Sequence, residues 1–184
     1  IGNESSEVNV QYICTVGDKV YAMTDSGLYC ANMRDNLVDY AYWYTIEKPI
    51  GNTVSGMREL SGMLFLVIDG QLWKLQKDNW VQIPLRKLRG LHKTGDNLWL
   101  LPVKPDGIGK LPKSGTLEWI VEDMICYCIA EDGNQYWIGT EEDGLVKYNI
   151  ANKGRESYYP EGPCSNFAYK LHFVGDRLYL LPGG

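Results

Sequence analysis

The 184-residue sequence lacks any apolar stretch long enough to cross a membrane. A spanning helix needs about 20 apolar residues in succession, and no run approaches that length. The sequence also lacks the apolar periodicity of a helix. Its eight prolines and twenty glycines interrupt it too often for a helical protein. These absences exclude a transmembrane helix and favour an all-β chain.

The sequence is also poor in positively charged residues. Lys and Arg total 18 against 23 acidic residues, so the formal net charge is −5 and the isoelectric point is near 5.1. A nucleic-acid surface needs clustered basic side chains to neutralise phosphates. The one basic cluster, at residues 86–89 with Lys93, is short and typical of a solvated loop. We therefore expect no nucleic-acid partner.

Motifs of known catalytic sites are also missing. The sequence contains no Gly-x-Ser-x-Gly, no His-Glu-x-x-His and no phosphate-binding glycine loop. The only two histidines, His92 and His172, lie 80 residues apart without a Cys or carboxylate at ligand spacing. We expect no catalytic residue, no metal and no cofactor.

Five cysteines form neither a zinc pattern nor a Cys-x-x-Cys redox pattern. Cys126 and Cys128 are two residues apart, which places both on one face of a strand. An inter-strand disulfide is open in an oxidising compartment, although an odd count leaves at least one free thiol. We interpret most of the cysteines as buried packing residues.

What the sequence does contain is a repeated hairpin. Residues 131–149 comprise a turn, a strand from Gln135 to Thr140, a second turn and a strand from Leu145 to Asn149. The first turn of each copy carries a glycine, at positions 17, 62, 95, 133 and 175. Successive glycines are 45, 33, 38 and 42 residues apart, so the period is irregular but centred near 40.

Further strands extend each hairpin. An apolar run precedes each first turn: Val10 to Val16, Val54 to Leu60, Leu88 to His92, Met124 to Ala130, and Tyr169 to Val174. A segment rich in Trp or Tyr follows each second strand, which makes four strands per repeat. A period of about 40 that contains only strands is typical of a β-propeller blade.

The sequence therefore predicts an all-β β-propeller of about four four-stranded blades plus part of a fifth. We expect one domain over residues 1–184, with repeats at approximately 8–50, 51–85, 86–122, 123–160 and 161–184. Four and a half blades do not close a ring neatly, which favours a fragment of a larger propeller. Open strand edges would also allow a homodimer.

The fourth repeat contains a spaced motif made of Asp132, Trp137, Ile138, Gly139, Thr140, Gly144, Leu145 and Tyr148. With this motif it resembles the two-component regulator propellers in the periplasmic sensor regions of Bacteroidetes hybrid histidine kinases. The segment 162–166 is similar to the lead-in of such repeats, and residues 162–184 also resemble PorZ-like propellers of the type IX secretion system. The first resemblance implies a non-catalytic periplasmic or cell-surface domain that senses a ligand or glycan. The second implies a surface scaffold for secreted cargo.

Acidic residues recur in the turns that join the second and third strands of the repeats. In a propeller these turns gather on one rim, which would then attract a cationic protein segment or a divalent cation. Asp before Gly is also ordinary turn chemistry. The acids concerned are Asp25, Asp69, Asp106, Glu141, Glu142 and Asp143.

Three tyrosines form a second candidate site. Tyr40, Tyr42 and Tyr44 alternate, so they would share one face of a strand, where aromatic rings stack on sugars or pack between blades. His172 alternates with Leu171 and Phe173 on an expected innermost strand, which would direct its ring toward a central channel.

Two classes of function remain open. One is an interaction or sensing propeller that binds a protein partner or a glycan, and the other is a propeller-type lyase or glycosidase. The expected inner strands offer only Glu59 and His172 for acid–base chemistry, whereas such catalysis wants a positioned pair. We therefore favour the non-enzymatic class.

Overall fold

The computed structural model describes residues 8–103, 106–159 and 167–182. Within these ranges the chain forms strands and one 3-10 turn, and no helix in them is long and apolar enough to span a bilayer. The strands are β1 (Val10–Val16), β2 (Lys19–Thr24), β3 (Gly27–Asn32), β4 (Tyr44–Ile46), β5 (Val54–Leu60), β6 (Met63–Ile68), β7 (Gln71–Gln76), β8 (Asn79–Ile83), β9 (Leu88–Thr94), β10 (Asn97–Pro102), β11 (Ile108–Pro112), β12 (Glu118–Val121), β13 (Cys126–Asp132), β14 (Gln135–Thr140), β15 (Leu145–Asn149), β16 (Arg155–Tyr158), β17 (Ala168–Val174) and β18 (Arg177–Pro182).

The described strands form five antiparallel sheets whose strands lie side by side in chain order. Four sheets have four strands each, β1–β4, β5–β8, β9–β12 and β13–β16, and the fifth pairs β17 with β18. This arrangement confirms the predicted fold class of four four-stranded blades and part of a fifth. Two first strands, β1 and β5, have the predicted bounds, whereas β13 begins and ends two residues later than expected.

The second strand of each four-stranded blade is its most buried one. In β2, β6 and β10 five of the six residues are buried. Because consecutive residues of these strands are buried, both faces are covered by packing and the usual alternation of polar and apolar residues disappears. In the fourth strands only Val121 is buried, and all of β16 is exposed.

The turn between first and second strands requires glycine. Gly17 and Gly133 have φ of +60° and +55°, a region that side chains disfavour, and nothing lies close to where a Cβ would be. The requirement at these turns is therefore conformational, not steric.

A β-bulge recurs at the second residue of the first strand. The register shifts there at Gln11, Ser55, Tyr127 and Tyr169. A repeated hydrogen bond lies beside it, from the backbone N–H just after the second strand to the carbonyl just before the first. Its pairs are Asp25 to Asn9 (3.2 Å), Asp69 to Thr53 (2.8 Å) and Glu141 to Ile125 (3.2 Å). The repeat therefore extends to the backbone hydrogen bonds.

The bulge at Tyr127 shows that the prediction for Cys126 and Cys128 is wrong. Cys126 lies opposite Thr140 and Cys128 opposite Gly139, so the two thiols are on opposite faces. Cys126 belongs to an apolar cluster, while Cys128 donates to the carbonyl of Ala168 at 3.5 Å. Of the four described cysteines three are buried, and Cys164 lies outside the described residues.

The chain divides into two compact units, residues 1–91 and 92–184, each with its own apolar core. The first core combines Tyr21, Met23, Leu28, Cys30, Met57, Leu64, Leu66 and Ile68. The second combines Trp99, Leu101, Ile108, Val121, Met124, Cys126, Ile129, Tyr136, Ile138, Val146 and Tyr148. Each large side chain taken out of water contributes roughly 1.5–3 kcal/mol, so these faces dominate the stability of each unit.

Candidate functional site

The predicted acidic turns do join second and third strands. Asp25 lies between β2 and β3, Asp69 between β6 and β7, and Asp106 between β10 and β11, while residues 141–143 follow β14. Pro105, in the third of these turns, lies outside the described residues. The turns differ in what their acids do.

Asp69 has a structural role in the folded chain. Its carboxylate accepts hydrogen bonds from the backbone N–H of Thr53 at 2.9 Å and of Asn52 at 3.1 Å. These two donors hold the pKa of Asp69 below its usual value because they stabilise the charged form. Its carboxylate therefore anchors the segment that leads into β5.

Asp25 lies in a turn that a neighbouring threonine holds. The hydroxyl of Thr24 accepts from the N–H groups of Ser26 and Gly27, both at 3.1 Å, and donates to the Gly27 carbonyl at 3.0 Å. Thr24 is buried, whereas Asp25 is exposed. Asp106, in the third turn, is half-buried. Thr24 thus builds the Asp25 turn without help from the acidic side chain.

The turn after β14 repeats this design with three acids instead of one. Thr140 donates from its hydroxyl (2.8 Å) and from its backbone N–H (3.0 Å) to the carbonyl of Gly144. Gly144 has φ of +67°, and a Cβ there would approach the Tyr158 carbonyl to 2.6 Å. Thr140 and Gly144 therefore define the turn.

The three carboxylates of this turn are left to solvent. Glu141, Glu142 and Asp143 are all exposed, and among the described residues none of their side chains accepts a hydrogen bond or pairs with a cation. Consecutive carboxylates in a turn create a negative potential that folding does not use. We call residues 141–143 the acidic turn.

The tyrosine candidates are not arranged as predicted. Residues Tyr40–Tyr42 form a 3-10 turn, so the expectation that Tyr40, Tyr42 and Tyr44 share one strand face is wrong. The cause is Asp39, whose side chain accepts from the N–H of Ala41 at 2.9 Å and caps the turn. Only Tyr44 lies in a strand, as the first residue of β4.

Tyr44 has its own polar neighbours. A hydrogen bond with the Cys30 thiol, together with burial, raises the pKa of the Tyr44 hydroxyl, although Lys19 acts against this shift. The hydrogen bond to Tyr44 in turn raises the pKa of Lys19. Tyr40 and Tyr42 are about half exposed. Tyr44 thus links the outer strands of its sheet, while Tyr40 and Tyr42 face solvent.

Glu59 and His172, the two residues of the enzyme alternative, lie on β5 and β17. Glu59 accepts a hydrogen bond from the N–H of Gly62 at 2.8 Å and so supports the turn between β5 and β6. His172 is exposed on β17, opposite Tyr179 in the register. Among the described residues, no group of three or more His, Cys, Asp or Glu side chains is placed to hold a metal ion.

Sequence reasoning missed a partly buried polar cluster around Lys110. Its ammonium group lies 3.1 Å from the Tyr136 hydroxyl and 3.4 Å from the Glu131 carboxylate, and over the rings of Trp99 and Tyr136. Burial lowers the pKa of Lys110, but these partners outweigh it and the pKa is raised. The signal was present in the hairpin register, which pairs Lys110 with Trp99.

The sequence matches no described protein family and no curated protein. Solved structures are similar in fold. The AfRom2 CNH domain superposes with a TM-score of 0.70 at 11% identity, over 95% of this chain and 66% of that chain. The extracellular domain of the putative one component system BT4673 from B. thetaiotaomicron gives 0.69 at 15% identity, over 98% of this chain and 27% of that chain.

YCF48 bound to D1 peptide gives a TM-score of 0.65 at 16% identity, over 99% of this chain and 63% of that chain. The fold is that of a β-propeller. The chain spans less than two thirds of the CNH and YCF48 chains and about a quarter of the BT4673 chain. Identities this low establish the fold alone, so the β-propeller prediction is confirmed and the activities of these proteins are not transferred.

Proposed function

We propose that this β-propeller is a non-catalytic binding domain of a periplasmic or cell-surface sensor, and that its acidic turn receives a cationic segment of a partner protein. The observation that carries the proposal is the acidic turn itself. Glu141, Glu142 and Asp143 are exposed, whereas Thr140 and Gly144 build the turn without them.

Two of the similar structures support this class of function. BT4673 is also described as a putative hybrid two component system, and its extracellular domain covers 94% of this chain with a TM-score of 0.68. YCF48 is a propeller-like neighbour that was solved with a bound peptide. A sensing or interaction domain is consistent with both, as is an extracytoplasmic location.

A cationic peptide fits the turn better than a metal ion does. Calcium takes six to eight oxygen ligands, and three side chains on one exposed turn supply few of them in a fixed geometry. Lys or Arg side chains need only approach the carboxylates, and the attraction mainly accelerates association and weakens with salt. The net charge of −5 adds to this preference.

The other predicted roles have less support. A glycan platform depended on three tyrosines that share one strand face, and the 3-10 turn removes that reason. The lyase or glycosidase alternative depended on Glu59, whose carboxylate supports a turn, and on His172, which is exposed on β17. An enzymatic activity that is lost in the Glu59→Gln variant would support the enzyme alternative again. No feature of the described residues favours the type IX scaffold over the sensor.

The test uses a fluorescent Lys/Arg-rich peptide as the probe. Its affinity is measured for the wild type and for the triple variant Glu141→Gln, Glu142→Gln, Asp143→Asn. The matched control is Asp78→Asn, Asp96→Asn, Asp176→Asn, which removes the same charge from three exposed turn residues elsewhere. We expect at least a tenfold weaker affinity only in the first variant. Equal weakening in both variants would mean that net charge alone attracts the peptide, and the proposal would fail. Tight calcium binding that depends on the same three residues would show that the ligand of the acidic turn is a metal ion and not a peptide.

A further inference from the structure

The connection between β3 and β4 is an insertion relative to the other blades. It spans eleven residues, 33–43, whereas the corresponding connections have two residues (77–78), five (113–117) and five (150–154). A two-residue connection is enough to join such strands, as β7 and β8 show. The additional residues of the first blade are therefore not needed for pairing.

Hydrogen bonds give this insertion a defined structure. The backbone N–H of Trp43 donates to the carbonyl of Tyr40 at 3.0 Å, and that of Asp39 to the carbonyl of Asn36 at 3.0 Å. The indole Nε1 of Trp43 donates to the carbonyl of Leu37 at 3.0 Å. These bonds fix the backbone before any partner arrives, so binding through this segment would cost little conformational entropy.

The ordered insertion presents apolar side chains to water. Val38 is 94% exposed and Tyr40 is 53% exposed, and no residue of the 3-10 turn is buried. With Tyr44 the exposed set is Met33, Leu37, Val38, Tyr40, Tyr42 and Tyr44. A whole aromatic side chain offers about 150–250 Å² of surface. Because most of the six are only partly exposed, together they present on the order of 500 Å² to solvent. We call residues 33–44 the tyrosine loop.

We propose that the tyrosine loop is a self-association surface that packs against the same loop of a second copy of this chain. Two such loops would bury about 1,000 Å² in total, the lower limit for a specific interface, so the dimer is weak. Tyr and Met are among the residues enriched at such contacts.

The charges of the loop are complementary to themselves. Arg34 and Asp35 are adjacent and of opposite sign, and Arg34 is exposed. In a two-fold interface the same patch is used twice, so Arg34 of one copy can face Asp35 of the other. A lipid surface suits the loop less well, because Asp35 and Asp39 would accompany the apolar side chains toward the bilayer.

The test is sedimentation velocity of the whole 184-residue chain and of two variants. Val38→Asp places a charge at the centre of the loop, and Ile50→Asp places the same charge on a fully exposed apolar residue outside it. Samples span roughly 5 to 500 µM, because mass action populates a weak dimer only at high concentration. Far-ultraviolet circular dichroism verifies that each variant is folded.

For the wild type and Ile50→Asp we expect the mass to rise from 20.9 kDa toward twice that value with concentration. Val38→Asp should remain monomeric, with dimerisation at least tenfold weaker. A wild type that is monomeric throughout would overturn the proposal. So would a dimer that persists in Val38→Asp, which would indicate association through open strand edges. Binding of the monomeric wild type to phosphatidylcholine vesicles, lost in Val38→Asp, would assign the loop to a membrane instead.

Discussion

At the scale of single residues, the four acidic turns show that similar sequences serve different purposes. Asp69 and Asp25 occupy equivalent places after β6 and β2, yet only the carboxylate of Asp69 accepts backbone N–H groups. In the Asp25 turn and in the acidic turn a buried threonine performs the structural task, with Thr24 and Thr140 at corresponding positions. A carboxylate is available to a partner only where another group already holds the turn.

Asp69 provides the first prediction at this scale, on the pH dependence of stability. Its pKa is lowered on folding by the N–H groups of Thr53 and Asn52. A lowered pKa contributes stability that is fully present above the unfolded value near pH 4 and is lost as pH falls through the folded value. We expect the urea midpoint of Asp69→Asn to fall less than that of the wild type between about pH 5 and pH 3.

The control for this prediction is Asp25→Asn, since Asp25 is exposed in an equivalent turn. Its acid dependence should match that of the wild type. If Asp69→Asn and the wild type lost stability in parallel as pH fell, the hydrogen bonds to Asn52 and Thr53 would not differ between the two protonation states.

Cys128 illustrates how burial determines the chemistry of a residue. Its thiol is packed between Gly139 and Ala168, and burial raises its pKa to about 12. At neutral pH the thiol therefore stays protonated and is a poor nucleophile. This agrees with the interpretation of most cysteines as inert packing residues.

At the scale of elements, neighbouring sheets of the second unit are joined by a polar cluster as well as by apolar contact. Lys110 on β11 approaches Tyr136 on β14 and Glu131 on β13. Asn97 also donates to Glu131 at 2.8 Å, and the rings of Trp99 and Tyr136 meet edge to face at 4.9 Å. A half-buried lysine with these partners favours one relative position of the two sheets.

A double-mutant cycle on Lys110→Met and Glu131→Gln tests this account. Because the pair is partly buried and shares its partners, we expect a coupling free energy of about 1 kcal/mol, at the upper end for ion pairs with some exposure. Urea denaturation of the two single variants and the double variant gives the value. The cycle of Lys113→Met with Glu131→Gln is the matched control, since Lys113 is exposed, and it should show no coupling. If the changes in the free energy of unfolding were additive in both cycles, Lys110 and Glu131 would contribute independently to stability.

At the scale of the whole molecule, the pattern of burial across the four strands is the same in every four-stranded blade. The second strands β2, β6, β10 and β14 are the most buried, and the fourth strands are the most exposed. Protection against hydrogen exchange follows burial and the number of paired neighbours. The same gradient should therefore repeat four times along the chain.

Native-state hydrogen exchange tests this gradient. We expect amides of β6 and β10 to exchange at least a hundredfold more slowly than those of β4 and β16, which are short and exposed. In a chain of 184 residues, mass spectrometry of its peptides measures exchange in the individual strands. Uniform exchange within each sheet would show instead that a blade opens as one unit.

The sequence by itself determined the blade. Glycine at each first turn and the apolar run before it are local requirements of hairpins and strands, so the period and the strand order could be predicted from them. The acidic residues were likewise assigned to the correct turns. The bounds of β1 and β5 followed from the same apolar runs.

Tertiary structure decided what those residues do. The bulge at Tyr127, which forms where β13 pairs with β14, separates Cys126 from Cys128. The cap at Asp39, by contrast, is a local hydrogen bond that the alternation of tyrosines does not reveal. Asp25 and Asp69 each follow a second strand, yet only Asp69 accepts from N–H groups 16 and 17 residues away. Spacing along the chain reports local conformation, whereas the surroundings of a side chain depend on strands that meet only after folding.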